Sequence, residues 1–423
     1  MKVLVVGGGG REHALAWGLA RSPRVTDLHA APGNAGIARL ATCHRVRAED
    51  VAGLVGLAER LAPDLVVIGP EAPLVAGLAD ALRDRGVAAF GPDAAAARLE
   101  GSKAFAKEVM ARGGIPTAAS GAFTSFDDAV AFVDTLRGHA VVKADGLAAG
   151  KGVTVATERE TAVGALRNSL EGGAFGEAGA TVVVEEILEG PEVSAFALSD
   201  GEAVVPLVLS QDFKRAGDRD TGPNTGGMGA YSPLPWIDDA TEGQIWDLCR
   251  RTVATMATEG LTYRGLLYTG LMLTSDGPRV LEYNCRFGDP ETEVVIPRLR
   301  TDLAELLLAS PPAALANVKV DWTPDAAVTV ILASGGYPGA YGTGVPIDGL
   351  DAAAEVEGAV VFHAGTAEAD GRVVTSGGRV LSVTGLGATI GDARATAYDA
   401  ASRIRFEGSS HRTDIAARAA KGE

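Results

Sequence analysis

Val280-Leu281-Glu282-Tyr283-Asn284-Cys285-Arg286-Phe287-Gly288-Asp289-Pro290-Glu291-Thr292-Glu293 says more about this chain than any other segment of its length. From Leu281 to Arg286 apolar and polar residues alternate with the period of a β-strand, which puts Glu282, Asn284 and Arg286 on one face. A carboxylate and an amide oxygen two residues apart are hard donors suited to Mg²⁺, above all when nucleotide phosphates supply the remaining ligands. Arg286 adds a permanent cation where a phosphoryl group or a substrate carboxylate would need one. Gly288-Asp289-Pro290 turns the chain and leaves Asp289, Glu291 and Glu293 near the strand's end.

Working outward, Gly265 to Leu273 reads as the partner strand of a hairpin, and Trp246 to Met256 as a helix before it. Upstream lies Asp218 to Pro233, a glycine-rich segment read as a long loop with an ordered, backbone-rich site. Thr181 to Leu188 is a strand ending in Glu185-Glu186, followed by Glu192 after a Gly-Pro turn. Ala140 to Lys143 runs into a glycine-rich loop, Ala144 to Gly152, which holds Gly150, Lys151 and Gly152 and can fold over phosphates. Its spacing is wrong for a Walker motif, and a strand follows it. Ala94 to Met110 reads as one helix carrying Ser102 and Lys103.

The chain opens with a buried strand, Lys2 to Val6, then Gly7-Gly8-Gly9-Gly10 and a helix. Such a turn can hold a phosphate, but Glu12 stands where a dinucleotide fingerprint needs its third glycine. Ala31 to Gly36 and Gly69 to Leu74 are two more loops at strand ends, where ligands collect in an open α/β sheet. After Pro311-Pro312 a last unit contains short strands and a helix from about Ile390 to Arg403; its lone His363 reads as structural.

A net charge of -16 over 423 residues argues against nucleic acid or an anionic membrane as a partner. Cys43, Cys249 and Cys285 are too few and scattered for a disulfide framework or a zinc site, so a reducing cytoplasm is expected. No apolar run approaches a membrane span, and no Ser/His/Asp or Cys/His nucleophile pattern stands out.

The opening glycine turn, Gly69-Pro70-Glu71-Ala72-Pro73-Leu74, Glu100-Gly101-Ser102-Lys103, Lys143 to Gly152, Glu185-Glu186, Gly222 to Pro233, Asn284 to Glu293 and Gly335 to Gly339 together resemble the phosphoribosylamine–glycine ligases, in the family's order. The resemblance implies a multidomain α/β and α+β protein: an N-terminal open parallel sheet over residues 1–100, an ATP-grasp core over 101–325 with a mobile lid near 120–185, and a C-terminal mixed domain over 326–423. It implies ATP, glycine and 5-phosphoribosylamine as substrates, Mg²⁺ or Mn²⁺ as cofactor, and a monomer. Lys103, Lys143, Gly150, Lys151 and Gly152 would meet ATP phosphates; Glu185, Glu186 and Leu188 the adenine; Glu192 the ribose; Glu282 and Asn284 the metal. Arg286, Lys143, Asp212 and Asp289 would carry the chemistry, with Gly226, Gly227, Met228 and Gly229 around glycine. Gly9, Gly10 and Glu71 would meet phosphoribosylamine. Two departures stand out: Phe213 occupies a position where the family often has His, and Gly270 to Leu273 offers no second metal carboxylate. Another ATP-grasp carboxylate–amine ligase is the alternative.

Overall fold

The computed structural model describes residues 1–147, 152–172, 176–309 and 313–422. The first sheet is parallel, with strands β1 (Lys2–Gly7), β2 (Asp27–Pro32), β3 (Thr42–Cys43), β4 (Leu65–Ile68) and β5 (Ala89–Phe90) in the order β3-β2-β1-β4-β5. Val3 to Val6 are fully buried, as a continuous apolar strand covered on both faces requires. The order reverses beside β1, so the turns after β1, β2 and β4 gather at the carboxyl edge.

A second sheet, antiparallel, joins β6 (Ser120–Phe123), β7 (Ala140–Ala144), β8 (Val153–Ala156) and β9 (Val182–Glu185) in the order β6-β9-β7-β8. Helices Phe126–Thr135 and Arg159–Leu170 pack on it through Ala129, Val133 and Leu166, which gives this unit a small core of its own.

The remaining strands β10 (Glu192–Asp200), β11 (Val204–Asp212), β12 (Arg215–Gly217), β13 (Thr221–Asn224), β14 (Gly229–Ser232), β15 (Arg264–Thr274), β16 (Gly277–Asn284), β17 (Ala326–Ala333), β18 (Ala359–His363), β19 (Thr366–Ala369), β20 (Arg372–Thr375) and β21 (Arg379–Gly387) include one eight-stranded sheet. Its order is β16-β15-β10-β11-β14-β17-β21-β18, so strands from the C-terminal hundred residues extend the central sheet without a break. The helix Asp239–Thr258 covers part of one face with Ile245, Cys249, Val253 and Met256, and the helix Ile390–Arg403 packs on β17 and β21.

Three local readings of the sequence need correction. The segment from Ala94 to Met110 is two helices, Ala94–Gly101 and Lys103–Arg112, because Ser102 is extended and its Oγ accepts from Phe105 N at 3.1 Å as an N-cap. The long loop after Asp218 contains two strands: β13 forms a hairpin with β12 before it, and β14 pairs with both β11 and β17. The helix read from Trp246 begins seven residues earlier, at Asp239, capped by Asp238.

Candidate active site

The hairpin β15–β16 makes one wall of a cavity of about 630 Å³. Gly270 lies opposite Glu282, and a Cβ there would stand 3.3 Å from Glu282 Cγ, so the missing side chain leaves room for the carboxylate. The register slips between Gly270 and Leu271, which leaves Leu281 unpaired opposite them, and its carbonyl accepts from Lys143 Nζ at 3.1 Å. The Glu282 carboxylate makes no hydrogen bond or ion pair among the described residues. Burial would raise its pKa, but the ammonium groups of Lys214, Lys143 and Lys103 hold it below the usual carboxylate value.

Opposite this wall stand three lysines in two networks. Lys143 and Lys107 grip the two oxygens of buried Glu185 at 2.9 and 3.0 Å, and Lys107 also donates to Thr117 Oγ1 at 2.7 Å. Lys103 donates to Gly146 O at 2.9 Å, at the start of the glycine-rich loop. Gly152 and Leu188 line the cavity; Gly150 and Lys151 lie outside the described residues. Glu186 also lines it, and its carboxylate is committed to Ala119 N at 2.9 Å and Arg279 at 3.3 Å.

Arg286 does not reach into open space. Its Nε donates to Glu71 Oε2 at 3.1 Å, and its Nη2 to Glu100 Oε1 at 2.8 Å and Asn284 Oδ1 at 3.3 Å. The second Glu100 oxygen accepts from Cys285 N at 2.7 Å and from its Sγ at 3.0 Å. Burial pushes the Glu71 carboxyl up, but Arg286 and Arg11 overcome this and hold it at about 2. The fork thus ties the β4 turn and the helix Ala94–Gly101 to the end of β16, in the planar geometry a guanidinium suits.

At the far end of the cavity Lys214 pairs with Glu192 at 2.7 Å and stands among Asp212, Glu291 and Glu282. Burial pushes the Asp212 carboxyl up to about 7; Lys214 opposes this, while Glu291, Glu192 and Glu282 add to it. Phe213 packs under the guanidinium of Arg412, 5.0 Å from the ring centre.

A second cavity, of about 410 Å³, adjoins the first and shares Asp289 and Arg379 with it. Gly9 lines this second space and Glu71 the first. Gly10 lines neither, since a Cβ there would stand 2.4 Å from Glu293 Oε1. The glycine turn is closed by its own helix: Glu12 Oε2 accepts from Gly9 N at 2.6 Å, so that N–H is not free for a phosphate. Gly226 lines the first cavity, but Gly227, Met228 and Gly229 line neither. Their backbone enters the ladder, with Met228 N donating to Phe213 O at 2.7 Å, and Gly227 packs on Pro290.

Sequence reasoning assigned no role to Lys107, Lys214 or Arg379. Lys214 follows Asp212 by two residues and its cation was visible there; Arg379, which pairs with Asp289 at 3.0 Å, sits in no motif.

A parallel N-terminal sheet, a small antiparallel unit and a central antiparallel sheet, with lysines facing a Glu-x-Asn strand across a cleft, define an ATP-grasp protein. Family models for phosphoribosylglycinamide synthetase match the N domain at residues 1–100, the ATP-grasp (A) domain at 101–292 and the C domain at 327–418. The chain belongs to the phosphoribosylglycinamide synthetase family. It is 54% identical over 424 residues to the phosphoribosylamine–glycine ligase of Streptomyces coelicolor, covering 99% of this chain and 100% of that one. It is 51% identical over 423 residues to the ligase of Vibrio parahaemolyticus, covering 99% and 98%. The crystal structure of the Thermotoga maritima phosphoribosylamine–glycine ligase superposes with a TM-score of 0.85 at 36% identity, over 98% of this chain and 100% of that one. A biotin carboxylase from Campylobacter jejuni shares the fold, at 13% identity and a TM-score of 0.73, over 97% and 92%.

Proposed function

We propose that this chain is a C–N ligase that joins glycine to 5-phosphoribosylamine, giving glycinamide ribonucleotide, ADP and phosphate. The observation that carries the reading is the cavity wall of Glu282 and Asn284 facing Lys103, Lys143 and Lys214, in a chain of this family. A carboxylate is a poor acyl donor because its leaving group is poor. Phosphorylation by ATP converts glycine into glycyl phosphate, whose phosphate leaves when the amine attacks. The protein then needs no nucleophile of its own, only positioning and charge neutralisation.

Glu282 and Asn284 fit Mg²⁺ or Mn²⁺. The Glu282 carboxylate is ionised, has no partner among the described residues and faces the cavity beside an amide oxygen. No cluster of three acidic, His or Cys ligands occurs among the described residues, so ATP oxygens must complete the shell. Bound there, the ion supplies neutralisation of phosphate charge. Lys143 and Lys103 bind phosphate oxygens, and Glu185 orients Lys143. Glu186 and Leu188 flank the adenine and Glu192 the ribose. Arg286 orients the glycine carboxylate, and Asp212 and Asp289 face the amino groups. The β6–β9 unit acts as the lid that excludes water from the acyl phosphate. The three free cysteines suit a reducing cytoplasm, and among the described residues no helix is long and apolar enough to cross a membrane.

Glycine carrying ¹⁸O in its carboxyl group tests the reading. One labelled oxygen per turnover should appear in inorganic phosphate, since it bridges carbon and phosphorus in glycyl phosphate. Unlabelled phosphate from a productive reaction overturns the acyl-phosphate route.

A further inference from the structure

We infer that Arg412 is a positioning residue of the active site: it clasps the hairpin β12–β13 and so fixes Lys214 and residues 224–226 in the cavity wall. The inference rests on the ligase reading above and adds to it a residue that lines neither cavity.

Asp212 and Lys214 lead into the hairpin, and Asn224, Thr225 and Gly226 lead out of it; all five line the first cavity. Every residue of β13 is exposed, so burial of apolar surface does little to hold it. At the tip Arg219 and Asp220 have φ of 55° and 54°, left-handed values that residues other than glycine keep only where their surroundings fix them.

The C-terminal segment supplies those surroundings. Arg412 is buried, and its Nε and Nη2 each donate at 2.8 Å to an oxygen of Asp414, a bidentate pair. Its Nη1 donates to Asp220 Oδ1 at 2.7 Å and to Arg215 O at 3.2 Å, one contact on the tip and one on β12. Asp414 in turn accepts from Arg219 N at 2.7 Å, and Thr413 N donates to Asp218 Oδ1 at 2.8 Å. The segment is itself anchored: Tyr398, on the helix Ile390–Arg403, donates to Arg412 O at 2.8 Å and accepts from Ile415 N at 3.2 Å. That helix packs on β17 and β21, so the clasp ties the exposed tip back to the central sheet. The guanidinium also lies over the ring of Phe213, between Asp212 and Lys214 in the chain. That ring lines neither cavity, so residue 213 serves as a flat platform for the cation, a role that needs no titratable proton.

Lys103 and Lys143 are held by Gly146, Glu185 and Leu281, away from the hairpin, so ATP binding should survive its loosening. Lys214 instead faces Glu282, where phosphate charge develops. Arg412→Gln should therefore lower kcat by about tenfold or more while the KM for each substrate moves by no more than about threefold. Trypsin should cut the variant after Lys214 or Arg215 about fivefold faster than the parent. Losing Arg412 leaves Asp414 unpaired in a buried setting, so the exposed Asp220 provides a second variant that does not disturb the core. Asp220→Asn should lower kcat by about threefold with an unchanged melting temperature, and should add nothing in the Arg412→Gln background. Arg412→Lys keeps the charge without the fork and should fall between the parent and Arg412→Gln. An unchanged kcat in Asp220→Asn, or KM values that rise in step with the fall in kcat, overturns the inference, since a merely structural residue damages every constant alike. Absence of ADP release by the parent chain with all three substrates overturns the ligase reading instead. The rate of tryptic cutting after Lys214 or Arg215 then still decides whether the clasp holds the hairpin, and equal rates in parent, Asp220→Asn and Arg412→Lys would show that it does not.

Discussion

Replacing Arg286 by lysine keeps the charge and removes the fork. In the structure Nε reaches Glu71 at 3.1 Å and Nη2 reaches Glu100 at 2.8 Å, on carboxylates from two different elements. A lysine ammonium is a single point and can sit against one carboxylate at a time, so one charge-assisted hydrogen bond is lost. Such a bond contributes about 1.5–3 kcal/mol. If the fork holds the site in shape for glycine, Arg286→Lys should lower kcat/KM for glycine by roughly ten- to a hundredfold. The assay is coupled ADP release with glycine varied at saturating ATP and phosphoribosylamine. The KM for ATP should move by no more than about threefold, since Lys103 and Lys143 lie outside the Arg286 network and uniform damage would move every constant. A variant whose glycine kcat/KM stays within about threefold of the parent would refute the reasoning: the fork would then be structural cement with no part in glycine handling.

Two further outcomes follow from the same wall and its far end. Glu282→Gln keeps the side chain's size and one oxygen but removes the charge, so the Mg²⁺ concentration for half-maximal rate should rise by about tenfold or more; a metal titration of the initial rate checks it, and an unchanged Mg²⁺ requirement would move the ion elsewhere. Asp212, pushed up to about 7 in the folded chain from an ordinary value of 3.8, binds its proton more tightly folded than unfolded. Its contribution therefore favours the folded state at low pH and is lost as pH rises between about 4 and 7. Asp212→Asn should flatten that decline, and urea midpoints across the window that fall equally in parent and variant would contradict the assignment.

Much of the site was legible because its chemistry is local. Glu282 and Asn284 share a face for reasons of strand period alone, and the strand ends at Asn284, two residues before Arg286. The partners of Arg286 were not legible. Glu71 and Glu100 are 215 and 186 residues away, and no spacing rule links a helix end, a β4 turn and a strand terminus. Arg379 stayed hidden for the same reason: its partners Asp289 and Gly226 come from segments 90 and 153 residues away. The segment Thr221-Gly222-Pro223-Asn224 read as loop because glycine and proline disfavour strands, yet it pairs with Arg215–Gly217 in an exposed hairpin. In the glycine turn after β1, Glu12 reaches back to accept from the Gly9 N–H, an internal pairing that the glycine run by itself does not announce.

The unbroken eight-stranded sheet has a consequence for how this chain can be divided. β14 and β17 are joined by four residue pairs, Gly229 with Val330 through Ser232 with Ala327, deep within the sheet. Every residue of β14 and of β17 is buried. Cutting the C-terminal hundred residues away would therefore expose two apolar strand edges at once, one on each fragment, and such edges invite pairing with any other chain. Although a distinct family model covers it, the C-terminal portion is no free-standing module: recombination could move it only together with a host that offers β17 an edge of matching register.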